Sequence, residues 1–173
     1  SDKRQQSQAY FGYDLRGNLN RKISWSGAQG IANWDTSRGY SDSYLTSDQS
    51  GRLLSQSTAG QNTQSYVYDG LGRVIAVTDL AGGTTTTVFN DAATQTTVTL
   101  ANGYTTVSTF AKTGELISQS DSGSYTAGGT SSYLYDSLGR LRREISANGT
   151  RTYHLYDRVG RKTADIHYDG ATA

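Results

Sequence analysis

Aspartate is the residue type that recurs here at one spacing and could do acid–base or metal chemistry. Asp14, Asp48, Asp69, Asp136 and Asp157 each stand three residues before a glycine: Gly17, Gly51, Gly72, Gly139 and Gly160. A row of carboxylates could relay protons or hold cations. A calcium site needs several oxygen ligands converging on one ion, and one aspartate per segment is too few. Asp-x-x-Gly has a local use instead. Aspartate at the first position of a type I turn accepts backbone N–H bonds. Glycine at the fourth position supplies the positive φ of a bulged hairpin. Arg52, Arg73, Arg140 and Arg161 directly follow the glycine. They could line a surface for an acidic partner, or lie on tyrosine rings as cation–π pairs. Arg140, Arg142, Arg143 and Glu144 read as a solvated strand face.

The tyrosines offer a second chemistry. Tyr13, Tyr66, Tyr68, Tyr133, Tyr135, Tyr153 and Tyr156 precede or flank the aspartates. A flat ring with a hydroxyl suits a saccharide face. Recurrence at fixed positions also suits cross-strand packing. His154 and His167 are the two histidines, too few for a zinc site of known geometry. His154 takes the place of a repeat tyrosine, which points to packing. Serines are plentiful, but no G-x-S-x-G elbow is present. Asn148-Gly149-Thr150 matches a glycosylation sequon, and its Asn-Gly pair also reads as a turn. No catalytic residue, metal or cofactor is predicted.

Composition narrows the class further. The chain has 173 residues, a net charge of +1, 20 Gly, 13 Tyr, and no Pro, Cys or Met. Leu, Ile, Val and Phe number 29 and Ser plus Thr 44, so aliphatic core material is scarce. Balanced charge and the many tyrosines separate the chain from disordered sequences of similar poverty. No apolar run reaches the length of a membrane helix, and no leader-type apolar segment opens the sequence. Disulfides and thiolate metal sites are excluded by the absence of cysteine. Balanced charge also argues against a nucleic-acid partner.

The elements that carry these residues form a repeat. The unit reads Tyr-x-Tyr-Asp-x-x-Gly-Arg-Leu/Val, best at Tyr66–Val74 and Tyr133–Leu141. Further copies are His154–Lys162, Tyr13–Leu19 and Asp48–Leu53. Its glycine falls at Gly17, Gly51, Gly72, Gly114, Gly139 and Gly160. The base period is 21, and the gap of 42 before Gly114 predicts a degenerate copy centred on Ala93, with Asn90 in the aspartate slot. The copy at Phe110–Leu116 departs at Ala111 and Glu115. Tyr168-Asp169-Gly170 could open an eighth copy. Flanks alternate as strands do, with Leu141, Arg143 and Ile145 expected on one face. Second turns lie between units, best seen as two-residue Asn-Gly loops at Asn102-Gly103 and Asn148-Gly149. Residues Ser122 to Gly129 hold a four-residue insertion, while Thr84–Thr87 and Gly123–Ser132 read as exposed polar strand or loop. An irregular insertion is expected near 24–44, around Trp25 and Trp34. The fold class is therefore all-β: an antiparallel meander of tandem hairpins, about fourteen strands, curving or spiralling as wide sheets do. Residues 1–173 read as one repeat array, with two free sheet edges that invite self-association.

Tyr-Asp-x-x-Gly-Arg repeated near 21 residues resembles the YD repeat of RHS-repeat proteins, from about Tyr10 to Ala173. That family includes bacterial polymorphic toxins, toxin-complex subunits and the teneurins. The resemblance implies a β-strip that spirals into a hollow shell, enclosing a toxic C-terminal domain that an aspartic autoprotease with an Asp-Pro core motif releases. With no proline, the chain lacks that motif. The resemblance therefore implies a non-enzymatic segment of a secreted or cell-surface shell, whose partners are the rest of the shell and its enclosed domain. An adhesin or glycan-binding module is the other reading. A β-helical glycan hydrolase would need a cleft of paired carboxylates.

Overall fold

The computed structural model describes residues 7–26, 41–123 and 126–169. Their secondary structure is fourteen strands and a single 3-10 turn at Asp91–Ala93. Within each of the two compact units the strands pair antiparallel in chain order. The meander is the fold that the alternating flanks and short turns predict. Two compact units divide the chain, Ser1–Thr84 and Thr85–Ala173. The first holds β1 (Ser7–Tyr13), β2 (Leu19–Ser26), β3 (Ser41–Ser47), β4 (Leu53–Thr58), β5 (Thr63–Tyr68) and β6 (Val74–Thr78). β7 (Thr84–Asn90) starts on that unit's last residue. The second unit continues with β8 (Gln95–Thr99), β9 (Thr105–Phe110), β10 (Leu116–Gly123), β11 (Thr126–Tyr135), β12 (Leu141–Ile145), β13 (Arg151–Tyr156) and β14 (Lys162–Tyr168).

The Asp-x-x-Gly turns are type I turns closed by a left-handed glycine. In the β5–β6 hairpin Gly72 N–H donates to the Asp69 carbonyl at 3.0 Å, and Asp69 N–H to the Arg73 carbonyl at 2.9 Å. Gly72 has φ +82. The second turns follow the same plan, which corrects the two-residue Asn-Gly loops expected for them. Gly103 N–H donates to Leu100 and Gly149 N–H to Ser146, at 2.9 and 2.8 Å. A type I′ loop needs positive φ at both central residues, yet only the glycines have it here. Asn102 and Asn148 instead accept the N–H of Tyr104 and Thr150 on their side-chain oxygens, both at 3.0 Å. That Asx bond holds the asparagine in the right-handed region.

The degenerate copy at 93 is a turn, but of another kind. Without glycine there, the left-handed residue is Thr94 (φ 49), and Asn90 accepts from Ala93 N–H at 3.2 Å. Asn90 and Gln95 then pair directly, with no shift of register. Thr94 is held from the neighbouring strand, where its Oγ1 donates to the Phe110 carbonyl and Phe110 N–H donates back to Thr94.

Every other hairpin of the Tyr-Asp type carries a bulge on the strand leaving the turn. Register slips by one residue at Asn20, Leu54, Ile75, Ile117, Arg142 and Thr163. An extra residue inverts the alternation beyond it. The expected grouping of Leu141 with Arg143 and Ile145 is corrected accordingly. Leu141 pairs with Tyr135 and Glu144 with Tyr133, so these two share the tyrosine face. Arg143 and Ile145 pair with Leu134 and Ser132 on the other face.

Of the expected insertion near 24–44, the flanks are regular strand: Arg21 to Ser24 pair with Tyr44 to Ser41. The rest of it, with Trp34, lies outside the described residues, as does the side chain of Trp25. The insertion at Ser122 to Gly129 lengthens the β10–β11 hairpin, with Asp121 opposite Gly129 and Gly123 opposite Thr126. Gly129 permits a close approach, since a Cβ there would stand 2.4 Å from the Ala147 Cβ. Thr84–Thr87 open β7, whose residues alternate between exposed and half-buried. Tyr168 ends β14 opposite Arg151, beside the second-turn edge of the hairpin. Asp169-Gly170 follows Asn148-Gly149 by 21 residues. Gly170, and with it the turn of the expected eighth copy, lies outside the described residues.

The sheet has almost no interior. Among the described residues only Ile23 (3% exposed) and Asp42 (4%) are buried, and they face each other across β2 and β3. Asp42 is satisfied by the Arg21 fork (Nε 3.0 Å, Nη2 2.7 Å) and by the Tyr44 hydroxyl at 2.9 Å. A buried carboxylate is tolerable when it is paired in this bidentate way.

Candidate functional site at the Tyr-Asp turns

Each full copy of the motif builds the same group of contacts, starting from the carboxylate. Asp69 Oδ1 accepts the N–H of Leu71 and of Arg73, both at 2.9 Å, and Oδ2 accepts Arg73 Nε at 2.7 Å. Asp48, Asp136 and Asp157 repeat this with Ser50 and Arg52, Leu138 and Arg140, and Val159 and Arg161. Asp14 binds Arg16 and Asn18 N–H, with the Asn18 amide in the arginine's place. An unanticipated Asp79 does the same for Ala81 and Gly83 at a second turn. Charge-assisted bonds of this kind favour the ionised form. The Asn18 side chain first lowers the Asp14 pKa, and the Arg161 side chain that of Asp157. The Arg52 and Arg73 N–H groups do so for Asp48 and Asp69. At Asp136 burial is the largest influence and opposes ionisation, but the Arg140 bonds outweigh it and the pKa is again lowered.

The arginine, oriented by its aspartate, reaches the next copy. Arg52 lies over the Tyr68 ring at 4.8 Å, and Arg140 over Tyr156 at 5.0 Å. Each tyrosine closes the contact with its hydroxyl: Tyr68 donates to the Leu53 carbonyl at 2.8 Å and Tyr156 to Leu141 at 3.0 Å. Both carbonyls belong to the residue after the arginine. The guanidinium also fits beside the next copy's glycine. A Cβ on Gly72 would stand 3.2 Å from Arg52 Nη1, and one on Gly160 would stand 3.6 Å from Arg140 Nη1. Aspartate, arginine, tyrosine and glycine thus make one latch shared by two consecutive copies. Ion pairs this exposed add little by Coulomb attraction alone. Their use here is to aim the guanidinium. The ring contact and hydroxyl bond then contribute about 0.5–1 and about 1 kcal/mol respectively.

Residues 48–85, which contain the Arg52–Tyr68 latch, match the family model described as RHS Repeat. Over those residues the chain is similar to an RHS repeat. Among solved structures it is similar to the crystal structure of TcdB2-TccC3-Cdc42, at 12% identity and TM-score 0.41 over 94% of this chain. It is likewise similar to the Photorhabdus luminescens Tc holotoxin pore, at 13% identity and TM-score 0.41 over 93% of this chain. The chain spans 12% of the length of either. No curated protein sequence matches it.

Outside the full Tyr-Asp copies the latch is incomplete in instructive ways. Glu115 holds the arginine slot of its copy, and its carboxylate stands 3.6 Å from where a Gly139 Cβ would be. It accepts a bond from Thr113 Oγ1, which lowers its pKa. Tyr135 holds the tyrosine slot of the next copy, and its pKa is raised by burial first and by nearby Tyr133, Glu115 and Glu144 after it. Here a carboxylate stands near the tyrosine in the slot where other copies place a cation. Glu115→Arg is expected to raise the melting temperature by roughly 2 °C, the size of one exposed cation–π pair in a domain of this length. Glu115→Gln should give a smaller rise. An unchanged or lowered melting temperature for the arginine variant would show that the slot does not read the cation.

The arginine cluster is not the solvated face expected of it. Arg140 is tied to Asp136, and both Arg140 and Arg142 reach the Tyr156 ring, Arg142 at 5.8 Å. Arg73 is tied to Asp69. Tyr66 and Tyr133 lie opposite Val77 and Glu144, and Tyr153 meets the Tyr168 ring edge-on at 5.8 Å. His154 Nδ1 is 2.6 Å from Asp165 Oδ1, and Lys162 Nζ is 2.8 Å from Asp165 Oδ2. His167 Nδ1 meets Thr152 Oγ1 at 3.0 Å. Asp165 and Asp42 were invisible to motif reading because neither stands before a repeat glycine. Cross-strand register brings Asp42 to Arg21 and Asp165 to His154. Among the described residues no three His, Cys, Asp or Glu side chains converge on a point that could hold a metal.

Proposed function

We propose that this chain is a structural, non-enzymatic segment of an RHS-type β-shell, which encloses or presents a toxic C-terminal domain of a larger secreted or cell-surface protein. The observation that carries this reading is the latch. The conspicuous polar residues of the RHS motif are spent on joining one hairpin to the next, which is the chemistry of a wall. The thin interior supports it as well. A sheet with two buried residues among those described does not behave as a self-sufficient globular domain, and its faces suit a wall in contact with other material. Cargo would be held by many weak contacts across a face, with no single residue carrying the binding. The glycan-binding reading is weakened because the Tyr68 and Tyr156 hydroxyls are already donated to backbone carbonyls.

Limited proteolysis of the parent polypeptide tests the proposal. A C-terminal domain that survives digestion in the presence of the repeats, and is degraded once they are removed, is the expected result. Equal digestion with and without the repeats would overturn the shell reading and return the chain to a surface-binding role.

A further inference from the structure

One copy of the motif carries an imidazole where two others carry a phenol. His154 fills the first tyrosine slot, held by Tyr66 and Tyr133 in their copies. Its side chain is 12% exposed and lies opposite Asp165, with Nδ1 2.6 Å from Asp165 Oδ1. The other ring nitrogen, Nε2, is buried and meets no hydrogen-bonding partner among the described residues. Residues two apart on a strand share a face, which names the surroundings of the ring. β13 itself adds Thr152 and Tyr156. β12 adds Glu144, opposite Thr152, with Arg140 and Arg142 at the Tyr156 ring. β14 adds Asp165, Lys162 and His167.

We propose that His154 makes the joint between β13 and β14 acid-sensitive: the joint holds while the ring is neutral and opens when it is protonated, between about pH 7.5 and 5, where imidazoles titrate. The neutral ring fits its place. Nδ1–H donates to Asp165, and Nε2 carries no proton. A second proton puts an N–H on the buried side of the ring, where it meets no acceptor. The Asp165 pair does not offset this. That carboxylate is 31% exposed and already shared with the Lys162 ammonium at 2.8 Å, and a pair so placed returns little. A buried charged donor left unpaired costs more. On β12 Arg142 and Glu144 offset each other, and Arg140 is tied to Asp136. The protonated ring therefore turns out to water, and its bond to Asp165 is lost with it. Asp165 and Lys162 stay charged throughout. The Lys162 side chain first, then His154, lowers the Asp165 pKa, and Asp165 raises that of Lys162. His167 is exposed, so water can accept from its second N–H. The inference is independent of what the sheet encloses; proteolytic protection of a C-terminal domain would neither support nor weaken it.

Amide hydrogen exchange read by mass spectrometry on the parent polypeptide, at about pH 7.5 and about pH 5, follows the joint in place. After correction for the intrinsic effect of pH, peptides from Arg151–Tyr168 are expected to exchange about fivefold or more faster in acid, while those from β8 and β9 keep their rates. One joint of a repeat array can open in this way without moving the melting temperature. His154→Tyr restores the residue that Tyr66 and Tyr133 supply in their copies, and it should abolish the difference. His154→Gln is neutral at both pH values and should do the same, which keeps the test sound where the larger tyrosine disturbs the sheet. Both variants retain His167, so a difference that survives in them belongs to another group and overturns the proposal. Equal exchange at the two pH values in the parent would overturn it as well. So would slower exchange in acid, which would mean that the ion pair with Asp165 governs the joint.

Discussion

Replacing Gly139 with valine is expected to destabilise the protein by about 1–3 kcal/mol, the range for a side chain held in a left-handed conformation that it resists. Gly139 has φ +74, and its N–H closes the turn on the Asp136 carbonyl at 3.0 Å. Space is not the obstacle. A Cβ there would meet its nearest neighbour, Glu115 Oε1, at 3.6 Å, an ordinary contact. The strain is in the backbone. Relaxing it would move the turn that aims Arg140 at Tyr156, so the loss should spread to the joint between copies. Gly139→Asn should cost clearly less, because asparagine tolerates the left-handed region. Thr94 shows that a β-branched residue can be held there (φ 49), but only with bonds to Phe110 on both its hydroxyl and its carbonyl. The Gly139 turn has no such support. Thermal unfolding of the three proteins decides the matter, and a valine variant that melts with the parent would remove the bulged turn from the stability argument.

Acid should unfold the protein within a narrow window. Asp14, Asp48, Asp69, Asp136 and Asp157 all have pKa values lowered in the folded state. An aspartate in the unfolded chain titrates near 3.9. Because the folded values are lower, the stabilisation is fully present above the unfolded value. It is lost as pH falls through the folded ones. Five sites of the same design titrate over the same range, so their effects accumulate. The melting temperature is expected to stay level from pH 7 to about 5 and to fall steeply below about 4. Asp69→Asn and Asp136→Asn keep an oxygen for the turn N–H groups but lose the charge. Each should lower stability at pH 7 and flatten the fall in acid. A melting temperature that holds down to pH 3 would mean that the turns do not depend on ionised aspartates.

How much was legible beforehand follows from the sequence distance over which each feature acts. The Asp69 turn is complete within five residues, so its carboxylate, its glycine and its place between two strands could all be read directly. The bulge at Arg142 could not. No residue type marks it, and it exists because β11 and β12 must pair beyond a turn that already carries one left-handed residue. That one residue moved Leu141 away from Arg143 and Ile145. The Asn-Gly pairs misled for a related reason. Asn148 can serve a two-residue loop or an Asx bond, and only the pairing of the flanking strands selects between them.

By itself, the sequence determined the repeat: the period of 21, the positions of the Tyr-Asp turns, the all-β meander and the copies that deviate. These depend on local conformational preference, which a few neighbouring residues settle. Tertiary structure decided what the repeat residues touch. Arg52 meets a tyrosine sixteen residues further on, Tyr68 returns its hydroxyl to a carbonyl fifteen residues back, and Asp42 finds Arg21 across two strands. Contacts of that span depend on register, and one bulged residue changes which side chains can meet.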